Sequence, residues 1–203
     1  VRIIAGTDFV HTQGYTGEGV RAEVCDSGLY TSHGDWKHPP IIHTSGSGST
    51  GHGTSVHGRV FGDGSGDPAY KGMMPDAQGI FASYSGVGLL GGTATRYGHT
   101  AELVDPTGPY RAVFQTNSWG DPRTTDYTTI SAQIDDIHFI NDFNIFQSQS
   151  NSGSTPSRPQ AWGKNTIGVG ALNHFNTLTK SDDRHGGSTG STGPASDGRI
   201  KPD

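Results

Sequence analysis

Apolar and polar positions fall into short blocks along the chain, and the period of the pattern switches between two and three to four residues. "GVRAEVCDSG" (19–28) reads as a strand closed by the turn signal Asp-Ser-Gly. In "STGHGTSVHGRVFGDG" (49–64), Val56, Val60 and Phe61 recur at helical spacing behind a glycine-rich entry. "DAQGIFASYSG" (76–86) predicts a strand, "GVGLLGG" (86–92) a loop and "TATRYGHTAELV" (93–104) a helix. A strand over 110–120 runs into a tight glycine turn, and Ile130, Ile134, Ile137 and Ile140 form a helical stripe within 128–141. Two more strands, 143–153 and 165–173, precede a loop over 185–203 that ends in Lys-Pro-Asp. Strands alternating with helices predict an α/β fold, doubly wound, with a mostly parallel sheet and helices on both faces. No internal repeat or linker divides the chain, so residues 1–203 are read as part of one domain.

Composition sharpens this picture in one respect. The chain carries 32 glycines, more than twice the usual share of about 7%. Only 30% of its residues are hydrophobic and 16% charged. Low charge with aromatics present does not describe a disordered chain; it describes a loop-heavy fold in which backbone approaches backbone. A net charge of −5 and scattered Lys and Arg give no basic stripe for nucleic acid or anionic membrane. No run of 18 apolar residues predicts a membrane span. The single cysteine, Cys25, excludes an intrachain disulfide and a cysteine-rich zinc site, and reads as a small buried side chain at a strand end.

In doubly wound sheets reactive groups collect at the carboxyl ends of strands. Asp26, Ser118 and Asn151 each fall just past a predicted strand. His52 and His57 are five residues apart, which turns them about 140° from one another on a helix. With no Glu between them and no Gly-Lys-Ser/Thr following, they fit neither a metal pair nor a phosphate loop. A histidine base needs a carboxylate to fix its tautomer, and Asp26 is suited to that. Asn151, in a glycine-flanked turn, is suited to donate to a developing oxyanion.

Taken in the order Asp, His, Asn, these residues resemble the subtilisin-like serine peptidases, the subtilases. "VCDSG" matches the family's Asp-Ser/Thr-Gly motif and implies that Asp26 is the acid that orients the histidine. "HGTSVHG" matches His-Gly-Thr-x-Val-x-Gly and implies that His52 is the general base and acid, with His57 structural. "QTNSWG" resembles the segment that pairs with the substrate backbone, here Ser118, Trp119 and Gly120. "GVGLLGG", with Gly91, resembles the opposing substrate-lining strand, and "SNSG" puts Asn151 at the position of the oxyanion asparagine. "TNSWG" and "DGRIKPD" point to a branch of larger secreted bacterial subtilases, so the resemblance implies a polypeptide substrate and an extracellular location. The chemistry it implies requires no cofactor.

Two departures qualify the resemblance. Before the oxyanion asparagine the family usually reads Ala-Ala-Gly, whereas this chain has Ser148-Gln149-Ser150. The family's nucleophile lies in a Gly-Thr-Ser-Met-Ala motif beyond Lys-Pro-Asp, and the sequence stops at Asp203. Ser188 and Ser191 align with a loop and Ser27 adjoins the acid, so none of them replaces it. The expectation is a subtilisin-like domain incomplete at its C-terminus and inactive by itself, its serine supplied by a missing segment or a second chain. An inactive pseudoprotease or peptide-binding module that keeps the groove stays open as the alternative. Asp63 and Asp67 leave a structural calcium site open, although no metal motif is present and a solvated turn fits them better.

Overall fold

The computed structural model describes residues 2–86, 88–91, 95–186 and 189–203. The glycine-rich loop at Val87 and Gly92, the predicted helix start at Thr93 and Ala94, and Ser188 lie outside the described residues. Six strands form one sheet in the order β2-β3-β1-β4-β5-β6: β1 (Arg21–Asp26), β2 (Ile41–Thr44), β3 (Gln78–Ser83), β4 (Phe114–Asn117), β5 (Asn144–Ser148) and β6 (Ile167–Val169). The pairs β1–β3, β2–β3 and β5–β6 are parallel. The helices are α1 (Thr7–Thr12), α2 (Thr50–Phe61), α3 (Thr95–Val104) and α4 (Thr129–Asn141), and β7 (Leu172–Asn173) and β8 (Arg184–His185) form a small antiparallel pair. None of the described helices is long and apolar enough to cross a membrane. The chain divides into two units, Val1–Gly88 with Ala101–Gln115, and Leu89–Thr100 with Thr116–Asp203.

In the first unit the alternation of β1 decides everything that follows. Successive side chains point to opposite faces of a strand. Ala22 and Val24 therefore join Phe81 of β3 on one face, where Phe61 of α2 completes a buried cluster with Val56 and Val60 packed against it. His57 lies on the same buried side of α2, among the rings of Trp36, Phe61 and Phe81. Gly79 of β3 makes room for it, since a Cβ there would sit 2.5 Å from His57 Nε2.

The opposite face of β1 carries Glu23, fully buried. A buried carboxylate needs partners, and it has His43 Nδ1 of β2 at 2.7 Å and Gln115 Nε2 of β4 at 2.6 Å. His43 Nε2 faces Glu102 of α3 at 3.6 Å. Burial opposes a charge on His43, but Glu23 and then Glu102 outweigh it and hold the imidazole above its ordinary value. The stability this pair contributes is complete below the unfolded imidazole's pKa and is lost as pH rises through the raised one.

In the second unit a capping box starts α4: the Thr128 hydroxyl accepts from the first-turn backbone while Ser131 Oγ accepts from the Thr128 N–H. The buried side of α4 is Ser131, Ile134, Ile137 and His138, against the 3₁₀ turn Pro159–Trp162. Ile140, read as part of the apolar stripe, is 62% exposed. Ten residues at 100° each bring Ile140 about 80° off the line of Ile130, and the stripe rotates away from the core. The strand expected over 165–173 is interrupted, with β6 ending at Val169 and β7 resuming at Leu172. Lys201 is buried and donates to Thr166 O at 2.7 Å, so Lys-Pro-Asp folds back beside β6. Just past β5, Ser150 takes φ 95°. That left-handed region favours glycine and strains a side chain.

Burial pushes the His57 imidazole down to about 3, so the unfolded chain binds a proton that the folded one refuses. Stability from this residue is complete above about pH 6.5 and falls as pH drops toward 3, by about 2 kcal/mol between pH 7.5 and 5. Urea unfolding at those two pH values is expected to show that drop shrinking in His57→Leu; an equal drop in wild type and variant would overturn the assignment. Ser150→Gly is expected to raise Tm by a few degrees in scanning calorimetry when compared in an Arg123→Ala background, where the hydrogen bond to the Ser150 hydroxyl is already absent; an unchanged or lower Tm there would mean that the position is unstrained.

Candidate active site

Asp26 is the last residue of β1 and shares the α2 face with Ala22 and Val24. Its side chain is 2% exposed, while that of His52, in the first turn of α2, is 61% exposed. His52 Nδ1 lies 2.8 Å from Asp26 Oδ1 and 3.0 Å from Oδ2. A carboxylate only accepts hydrogen bonds, so Nδ1 carries the proton and Nε2 presents its lone pair. Asp26 Oδ1 also accepts from the Ser27 N–H at 2.7 Å and the Ser27 hydroxyl at 3.1 Å. Ser27 is thereby tied to the acid, with Ser49 O as its second partner.

Glycine lets the helix come this close. A Cβ on Gly53 would lie 2.1 Å from Gly28 O and 3.2 Å from the Asp26 Cβ. Any larger residue at position 53 would push the first turn of α2 off the end of β1, and His52 with it. The two glycines flank the catalytic-type residues for a steric reason: one in "DSG", the other in "HGT".

Asn151, Ser118–Gly120 and Gly91 belong to the second unit. Asn151 follows the strained Ser150 and is exposed. Ser150 is held by Arg123 Nε on its hydroxyl at 2.7 Å and by the Ser191 N–H on its carbonyl at 2.9 Å. The neighbouring Gln149 is 1% exposed, and neither of its amide atoms has a hydrogen-bond partner among the described residues. A Cβ on Gly168 of β6 would touch Gln149 Oε1 at 2.9 Å, so this side chain packs over the face of β6 at Gly168.

Ser118–Gly120 continue from β4, with Ser118 exposed and Trp119 buried. Gly120 is pressed against Arg158, whose Cβ would stand 2.8 Å from an added Cβ. The Trp119 carbonyl already accepts from the buried Gln147 amide. Gly91, at φ 81°, donates its N–H to Asp121 Oδ1 at 2.7 Å. Sequence reading missed Asp121 and its partner Arg96, because each stood in a segment that reads as an ordinary turn or helix.

The candidate calcium ligands are occupied locally. Asp63 and Asp67 each accept the backbone N–H two residues on, Ser65 at 2.7 Å and Ala69 at 2.9 Å, the geometry of an Asx turn. Among the described residues neither joins a group of three metal-type donors.

The sequence profile of the subtilase family matches residues 17–203. No curated protein matches the chain. Among solved structures, the prenylagaramide maturation protease PagA is 16% identical at TM-score 0.69, with 94% of this chain and 64% of that one covered. The patellamide maturation protease PatA is 16% identical at TM-score 0.61, with 79% and 59% covered. The chain thus spans less than two thirds of the length of these proteases, and the likeness is one of fold. With the profile matched over nearly its whole length, the chain belongs to the subtilase family.

Proposed function

We propose that this chain is the acid- and base-bearing part of a serine endopeptidase that cleaves extended polypeptide through an Asp-His-Ser triad. One observation carries the reading: a buried carboxylate holds Nδ1 of a solvent-facing imidazole, which commits Nε2 to proton transfer. Asp26 holds His52; His52 Nε2 takes the proton of the attacking serine as its oxygen bonds to the scissile carbonyl carbon. Asn151 donates to the oxyanion of the tetrahedral intermediate. His52 then returns the proton to the departing amine, leaving an acyl-enzyme that water hydrolyses by the reverse sequence. These steps use side chains alone.

The serine itself comes, in this reading, from a segment outside these 203 residues. Ser27 is engaged by Asp26 and Ser49, and Ser191 is fully buried, with its hydroxyl 2.6 Å from that of Ser152. Substrate adds as a strand along Ser118–Gly120. On the family resemblance we also place the protein outside the cell.

The test uses the protein made from its whole gene. A fluorophosphonate probe is expected to label it, and kcat/KM on a peptide anilide to fall by about 10⁶-fold in His52→Ala and about 10⁴-fold in Asp26→Asn while the variants stay folded. Peptide binding without labelling or hydrolysis would replace the peptidase by a peptide-binding module.

A further inference from the structure

Behind the segments expected to line the substrate lies a buried ion pair with an unusual set of attachments. Arg96 is 3% and Asp121 6% exposed, and Arg96 Nη2 donates to Asp121 Oδ2 at 2.8 Å. Among the described residues, two of their remaining hydrogen bonds reach irregular backbone, and the others go to the side chains of Gln133, Gln160 and Arg158. Asp121 Oδ1 accepts the Gly91 N–H at 2.7 Å, and Arg96 Nε donates to Leu89 O at 2.5 Å. Arg96 Nη1 reaches Gln133 Oε1 at 3.1 Å, and its guanidinium stands 5.9 Å from the centre of the Trp119 ring. Gln160 finishes the network: its Nε2 donates to Asp121 Oδ2 at 2.6 Å and its Oε1 accepts the Asp121 N–H at 3.2 Å. Asp121 directly follows Ser118–Gly120, so one ion pair ties both substrate-lining segments together.

The pattern of those bonds fixes what is left for a ligand. In a planar trans peptide the C=O and N–H point in opposite directions. With Leu89 C=O and Gly91 N–H both drawn inward to the pair, the N–H and C=O of Leu90 both face away from it. Two such groups on one residue are what an extended chain needs for a pair of ladder hydrogen bonds. In this reading Leu90, with its 40% exposed side chain, offers them next to Gly91.

We infer that Arg96 and Asp121 are positioning residues that hold the Leu89–Gly91 and Ser118–Gly120 segments in register for an extended peptide. This rests on the peptidase reading above. The pair touches no reacting atom, so breaking it weakens the grip on residues remote from the cleaved bond more than it slows the chemistry.

The experiment compares a tetrapeptide anilide with a single-residue ester on the whole protein. Asp121→Asn is expected to raise KM for the tetrapeptide, lowering the ratio of its kcat/KM to that of the ester by about tenfold. Arg96→Lys keeps a charge beside Asp121 but loses the planar fork that reaches Leu89 and Gln133 together. A ratio about threefold lower is expected for it, and this variant decides alone should Asp121→Asn fail to fold. An unchanged ratio in a folded variant, or equal losses on both substrates, overturns the positioning role and leaves the peptidase reading intact. Hydrolysis of neither substrate by the wild type sinks both.

Discussion

A charge taken out of water at the end of a strand is the constraint on which the candidate active site depends. Asp26 is almost wholly buried, and a buried carboxylate is tolerated only when hydrogen bonds replace its hydration. The Ser27 backbone and hydroxyl supply two of those bonds and His52 the third. The carboxylate thus needs the imidazole as much as the imidazole needs it, and the two fix one tautomer. This arrangement is stable because glycine at position 53 lets α2 rest on the Gly28 carbonyl, two residues past the end of β1.

Strand β1 shows how one sequence can serve two electrostatic purposes. Its even-numbered residues face α2 and end in Asp26, whose partner is open to solvent. Glu23, on the other face, is closed in with His43 and Gln115, and the second nitrogen of His43 faces Glu102. The two histidines packed on these faces also respond oppositely to pH. Apolar rings keep His57 neutral, while carboxylates shift His43 toward its charged form. Which way an imidazole shifts is decided by its neighbours on the sheet, not by its depth alone.

The Arg96–Asp121 pair belongs to the same logic in the second unit. Irregular segments lack the ladder bonds that hold strands in register, so they need other means of being fixed. A buried guanidinium can satisfy several carbonyl and carboxylate oxygens at once through its planar fork. Here it joins the carbonyl of Leu89, the amide of Gln133 and the carboxylate of Asp121. The abundance of glycine fits this construction, in which backbone contacts do work that larger side chains do in more apolar cores.

The sequence alone determined the alternation of strands and helices, the family, and the pairing of Asp26 with His52. Each was legible because it is local: period two against period three to four, and short motifs whose glycines mark close backbone approach. It also separated His52 from His57, since five residues turn a helix to opposite sides. Tertiary structure decided what depends on distant partners. The short strand β2 gave no clear periodic signal, and it is the parallel pairing with β3 that makes it a strand. Ile140 left the buried stripe because a straight helix rotates its line away from a flat core. Ser150 keeps a conformation suited to glycine because Arg123 and Ser191 hold it. Arg96 and Asp121 stand 25 positions apart, and no local pattern announces that they meet, because an ion pair leaves no period in the chain that carries it.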